Sequence, residues 1–183
     1  LRENRSFNAD FDNSGILGCS WGGMSTAVFL ERNPNTKAFV SLDGTETHYF
    51  GEEDENDRFI QEIYDSELLT PGTQKIEYLY LESGDKLDEF QPSGDFNYFR
   101  ELNSEKYYLR FTNSVHADFT CLPSILAASE SSVQVYDDIQ KLTVAFFKET
   151  LKQKEGFQPL WERVRISDYT TEEVYEISDE AAT

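Results

Sequence analysis

The apolar positions of this chain fall in short runs that alternate between two spacings. Ile16 and Leu17 close a first brief run, Ala38–Gly44 (AFVSLDG) is a second, and Ile76–Leu81 within KIEYLYLESGD is a third, closed by Gly84. Lys106–Asn113 (KYYLRFTN) is a fourth. Their lengths and their Val, Ile, Tyr and Phe content predict buried strands. Helical spacing fills the gaps. Ala27, Val28 and Leu30 give a partly apolar face after Met24, stopped at Asn33–Asn35, where the proline disfavours helix in the residue before it. RFIQEIYDSELL has helical spacing at Phe59, Ile63 and Leu68, and FNYFREL predicts a short helix. YDDIQKLTVAFFKETLK predicts a long amphipathic one, with Ile139, Leu142, Phe146 and Leu151 along one side. EEDEND (Glu52–Asp57) reads as a solvated acidic loop and Thr70–Gly72 as a turn.

Strand and helix in strict alternation predict an α/β fold, a mostly parallel sheet with helices on both faces. In such sheets ligand chemistry sits beyond the carboxyl ends of the strands. Ser20, Asp43, Asp85 and His116 all fall there. The last thirty residues are acidic and weakly patterned; QPLWERV predicts a short packed helix and DYTTEEVYEISDEAAT a fraying end. The expected organisation is one α/β domain over residues 1–155 and an acidic extension over 156–183, partly packed.

Composition narrows the function classes. The chain has 183 residues, enough for one domain with a proper core, and a formal net charge of −19. That charge argues against nucleic acid and anionic membrane surfaces as partners. No apolar run approaches the roughly 20 residues of a membrane span, so no transmembrane segment is expected. Two cysteines, Cys19 and Cys121, are too few for a disulfide scaffold, and two histidines cannot build a Cys/His zinc cluster, so no metal is expected.

The chemistry concentrates in GILGCSWGG. Gly18-Cys19-Ser20-Trp21-Gly22 is a G-x-S-x-G sequence between a strand-like and a helix-like segment. In that setting a strained turn exposes the serine hydroxyl at the top of the sheet. Glycines flank the serine because side chains there would collide with neighbouring elements. The Trp21 N–H, at the helix start, would be one donor of an oxyanion hole. A serine hydroxyl is a weak nucleophile and needs a base, itself oriented by a carboxylate. His48 lies in the polar segment GTETHYFGEEDE and reads as a solvated loop histidine. His116 follows the fourth strand at once, in NSVHADF, and is the better base. Asp43 and Asp85 both preserve the order Ser, Asp, His, and spacing does not choose between them.

GCSWGGMSTAVFLERNPNTKAFVSLDG, followed by NSVHADF, resembles the platelet-activating-factor acetylhydrolase branch of the α/β-hydrolases, alongside the dienelactone-hydrolase-like proteins. The resemblance implies an α/β-hydrolase fold, with Ser20 as nucleophile, Asp43 as acid and His116 as base; Asp85 stays the alternative acid. It implies a serine ester hydrolase for short-chain or lipid-like carboxylic esters, a small-molecule substrate and no cofactor, and it favours a secreted or periplasmic setting. The oligomeric state is left open. The histidine loop is shorter than the family's usual one. The family also has several strands before the nucleophile strand, where this chain has about a dozen residues. The expectation is therefore the C-terminal part of a larger hydrolase, feeble in isolation because a second oxyanion donor would lie elsewhere. The alternative is a non-catalytic hydrolase-like binding or scaffold domain. Cys19 as nucleophile fails on position, since the first x of the motif turns away from the tip of the turn.

Overall fold

The computed structural model describes residue 10 and residues 12–46, 55–86, 96–122, 126 and 129–172. Four parallel strands, β1 (Ser14–Cys19), β2 (Thr36–Leu42), β3 (Glu77–Ser83) and β4 (Lys106–Phe111), stand side by side in chain order. A short fifth strand, β5 (Thr170–Glu172), adds to β4 in antiparallel sense. The helices are α1 (Trp21–Leu30), α2 (Glu55–Asp65), α3 (Asn97–Glu101), α4 (Glu130–Lys152) and α5 (Phe157–Arg165).

Side chains alternate along a strand, so each buried strand feeds two cores. In β3 the alternation divides chemistry as well as space. Leu79 and Leu81 point to one face, where they join Val40, Leu109 and Phe111 under α4 and α5. Tyr78 and Tyr80 point to the other, where they join Phe39, Tyr108, Tyr98 and Phe99 under α1 and α3. The first face mixes aliphatic and aromatic side chains, completed by Ile139, Leu142 and Phe146 of α4 and by Phe157, Trp161 and Val164 of α5. The second is richer in hydroxyls, and its tyrosines stack, tilt and meet edge-on at 5.4–6.2 Å between ring centres.

Three elements differ from the sequence expectation. Helix α2 begins at Glu55, inside the segment read as a solvated acidic loop, and ends at Asp65, before Leu68. Helix α4 begins at Glu130, six residues before the predicted Tyr136, because Ser129 caps it by accepting from the Ser132 N–H at 3.2 Å. Its first turns bury little, so no apolar spacing announces them. The segment expected to fray begins with β5, whose Thr171 and Thr170 pair with Arg110 and Phe111. Ahead of that strand, Tyr169 accepts from the Thr112 N–H at 2.9 Å.

Candidate active site

Ser20 sits between β1 and α1 with φ 55° and ψ −130°. A non-glycine residue rarely holds that conformation, which costs about 1–3 kcal/mol. Backbone bonds hold it: the Ser20 N–H donates to Leu42 O at 3.1 Å, and Ser20 O accepts from Gly23 N–H at 2.8 Å and Thr45 N–H at 3.2 Å. The turn closes tightly enough that a Cβ on Gly18 would stand 2.2 Å from Gly22 O. A Cβ on Gly22 would meet nothing within 4 Å. The expected collision is thus real at Gly18 and absent at Gly22. Trp21, at the first position of α1, follows directly, in the turn whose N–H groups lack partners within their own helix.

Asp43 ends the neighbouring strand, also at positive φ, 47°. Aspartate tolerates this left-handed conformation better than most residues. Its side chain is completely buried. Oδ1 accepts from the Ser83 N–H at 3.1 Å, and Oδ2 from the Ser83 hydroxyl at 2.7 Å. His116 Nδ1 lies 2.5 Å from the same Oδ2. Burial by itself would push the Asp43 carboxyl up; the Lys86 ammonium and the bonds from His116 and Ser83 outweigh it and hold Asp43 below the usual carboxylate range. In turn the bond to Asp43 raises His116, against its partial burial.

His116 opens a single tight turn, His116–Phe119, after β4. Asp118 fastens that turn by accepting from the Val115 N–H at 3.0 Å, and Phe119 packs edge-on against Phe111. Gly84 ties it to the end of β3 by donating to Ser114 O at 3.1 Å. A Cβ on Gly84 would stand 2.2 Å from Thr112 O, so that approach needs glycine. Asp85 is exposed, and its Oδ1 lies 2.6 Å from the Ser83 hydroxyl, whose single proton it shares with Asp43 Oδ2. Of the two candidate carboxylates, Asp43 is the one on the imidazole. Cys19 is half-buried, and burial, then Asp43 and Glu46, raise its thiol, the reverse of what an attacking thiolate needs. His48 lies outside the described residues.

No protein-family model and no curated protein sequence matches the chain. Solved structures do. A ferulic acid esterase from Streptomyces cinnamoneus is similar with a TM-score of 0.65 and 19% identity, over 92% of this chain and 49% of that one. An acylaminoacyl peptidase from Pyrococcus horikoshii is similar with a TM-score of 0.57 and 22% identity, over 88% of this chain and 28% of that one. The fold is that of the α/β-hydrolases. The chain spans about half the length of the esterase and about a quarter of the peptidase. Neither is named as an acetylhydrolase, so the likeness reaches the fold and stops short of the branch.

Within this α/β-hydrolase fold, a buried polar layer lies beneath the strand ends that sequence reasoning passes over. Ser83 is one member, bonded to both candidate carboxylates. Lys86, Glu82, Glu46, Tyr80 and Tyr108 are others, all nearly or fully buried. Burial pushes Glu82 up to about 7, despite Lys86 and the bond from Tyr108. Burial likewise raises Glu46, whose Oε1 accepts from Tyr78 at 2.7 Å. Their signal in the sequence is faint: in EYLYLES the residue at the Tyr78–Tyr80 spacing is Glu82, a charge on a face that the pattern marks as buried. Among the described residues no cluster of His, Cys, Asp and Glu could hold a metal ion, and no helix is long and apolar enough to cross a membrane.

Proposed function

We propose that this chain carries the catalytic set of a serine ester hydrolase, with Ser20 as nucleophile, His116 as general base and Asp43 as the acid that orients it. The observation that carries the reading is the 2.5 Å contact from His116 Nδ1 to a buried Asp43, at the strand end beside the strained Ser20 turn. Nδ1 engaged with a carboxylate directs Nε2 to proton transfer. Ser20 Oγ attacks the ester carbonyl carbon while Nε2 takes its proton. The Trp21 N–H stabilises the oxyanion, and each such donor is worth on the order of 10²–10³ in rate. The tetrahedral intermediate collapses, the C–O bond breaks, and the alcohol leaves with the proton from His116. Water, deprotonated by the same nitrogen, then releases the acyl group and restores Ser20.

The substrate class follows the resemblance of the serine and histidine segments to the acetylhydrolase branch: short-chain or lipid-like carboxylic esters, with no cofactor. The similar ferulic acid esterase supports ester chemistry at the level of the fold. The test is fluorophosphonate labelling of the chain, with the adduct located by peptide mass. An adduct on Ser20 that is lost in Ser20→Ala and slowed in His116→Ala and Asp43→Asn is expected. A folded chain with no adduct on Ser20 would sink the reading and leave a non-catalytic binding domain.

A further inference from the structure

Beneath Asp43 lies a buried positive charge for which the proposed chemistry has no use. Lys86 follows β3 and is 4% exposed. Its ammonium donates to Gly44 O at 2.9 Å and to the Tyr80 hydroxyl at 2.5 Å. It stands 3.7 Å from Asp43 Oδ1 and 3.9 Å from Glu82 Oε1, with both pairs enclosed. Enclosing an ammonium is costly unless nearby charges compensate. Nor can so enclosed a side chain be there for solubility. Its partners are the proposed acid and the residue next to it.

We infer that Lys86 is a positioning residue for the His116–Asp43 pair, a fixed positive charge that lowers the pair's affinity for a proton and so widens the pH range over which His116 is a neutral base. The inference rests on the proposed roles of Ser20, His116 and Asp43. Taking up a proton moves the pair from one negative charge to none. A neighbouring ammonium opposes that change whichever partner holds the proton. An opposite charge at this range shifts a carboxylate by about 1–3 pH units, and the hydrogen-bonded pair shares the shift.

Other groups face the same place and set the background. From the end of β2 comes Glu46, bonded to Tyr78. Glu82 of β3 competes with Asp43 for Lys86 and accepts from Tyr108 of β4. Arg110 of β4 stands 3.9 Å from Glu82 Oε2. Cys19 of β1 feels the Asp43 charge, Asp85 lies across Ser83, and Asp118 is engaged with Val115.

The experiment is the rate of fluorophosphonate labelling at Ser20 against pH, on the wild-type chain, Lys86→Met and Lys86→Gln, with folding checked by circular dichroism. Lys86→Met and Lys86→Gln are each expected to move the acid limb of the profile up by at least about one pH unit. A lysine that served packing alone would slow labelling at every pH and leave the limb where it was. Should Lys86→Met fail to fold, Lys86→Gln, which keeps a donor for Gly44 O, decides, and an unmoved or lowered limb overturns the inference. A wild-type chain with no Ser20 adduct strikes the proposed function instead. A labelled wild type whose limb coincides with that of Lys86→Met strikes the Lys86 inference alone.

Discussion

At Ser20 and Asp43 two adjacent strand ends hold non-glycine residues at positive φ, and each presents a polar side chain. The roles proposed for them differ in what a substitution removes. Asp43→Asn keeps the shape and loses the charge, so labelling of Ser20 should fall on the order of 10³–10⁴-fold, the loss that follows amidation of such an aspartate. Ser83→Ala removes one of the two bonds Ser83 makes to Asp43 and keeps the backbone one; about 1 kcal/mol, roughly a five- to tenfold slowing, is expected. The pair also leaves a mark on stability. His116 is raised in the folded chain, so its contribution is present below the ordinary imidazole value of 6.5 and fades as pH rises through the raised one. Asp43 is lowered, so its contribution is present above the ordinary carboxylate value of 3.8 and fades as pH falls through the lowered one. Both are present together between those two ordinary values. The melting-temperature difference between wild type and His116→Ala should be largest in that window, read by thermal scans at several pH values.

Among the elements, the strand–turn–helix around Ser20 makes the sharpest forecast. Gly18→Ala would drive a methyl into Gly22 O, and a loss of about 1–3 kcal/mol in urea unfolding is expected. Gly22→Ala meets open space and sits in a helix, where alanine is the better former; its midpoint should stay or rise. Equal losses at the two would mean that the turn is not closed as described. Ser129→Ala removes the cap of α4 and should cost about 1 kcal/mol. These cases also show what one sequence makes legible. The four parallel strands are readable because each is a compact apolar run, and Ser20 because its glycines bracket a change of spacing. The start of α4 is not, since Ser129 announces a cap without apolar spacing behind it. β5 is not, since three residues cannot display alternation. The choice between Asp43 and Asp85 turns on which carboxylate the His116 loop reaches, a contact 73 residues apart in the chain. Lys86 escapes notice because a lysine three residues past a strand looks solvated until the strands beside it are assembled.

For the molecule as a whole the dominant feature is charge. A formal −19 over 183 residues makes the compact state repel itself at low ionic strength. Screening shortens that repulsion to about 8 Å at physiological salt, so the melting temperature should rise between dilute buffer and about 0.5 M sodium chloride. A flat or falling response would place the acidic residues in favourable pairs. The buried layer under the strand ends is insulated from salt, so the pH profile of labelling should move far less than the melting temperature does.

The division of β3 into a leucine side and a tyrosine side gives the two halves of the protein different freedoms under mutation. Beneath α4 and α5 the contacts are interchangeable oil: Leu79, Leu81, Leu109 and Leu142 can be repacked as a set, provided volume is kept, and lose mainly rigidity. Beneath α1 and α3 each hydroxyl has an addressee, Tyr78 to Glu46, Tyr80 to Gly44 and Tyr108 to Glu82. A phenylalanine at Tyr78 or Tyr108 fills the space yet takes a donor from a buried carboxylate, and one at Tyr80 takes an acceptor from the buried Lys86. Drift in the lineage should accordingly run along one side of the sheet and stall on the other, and a library built on the leucine side would explore new sequences without disturbing the strand ends above it.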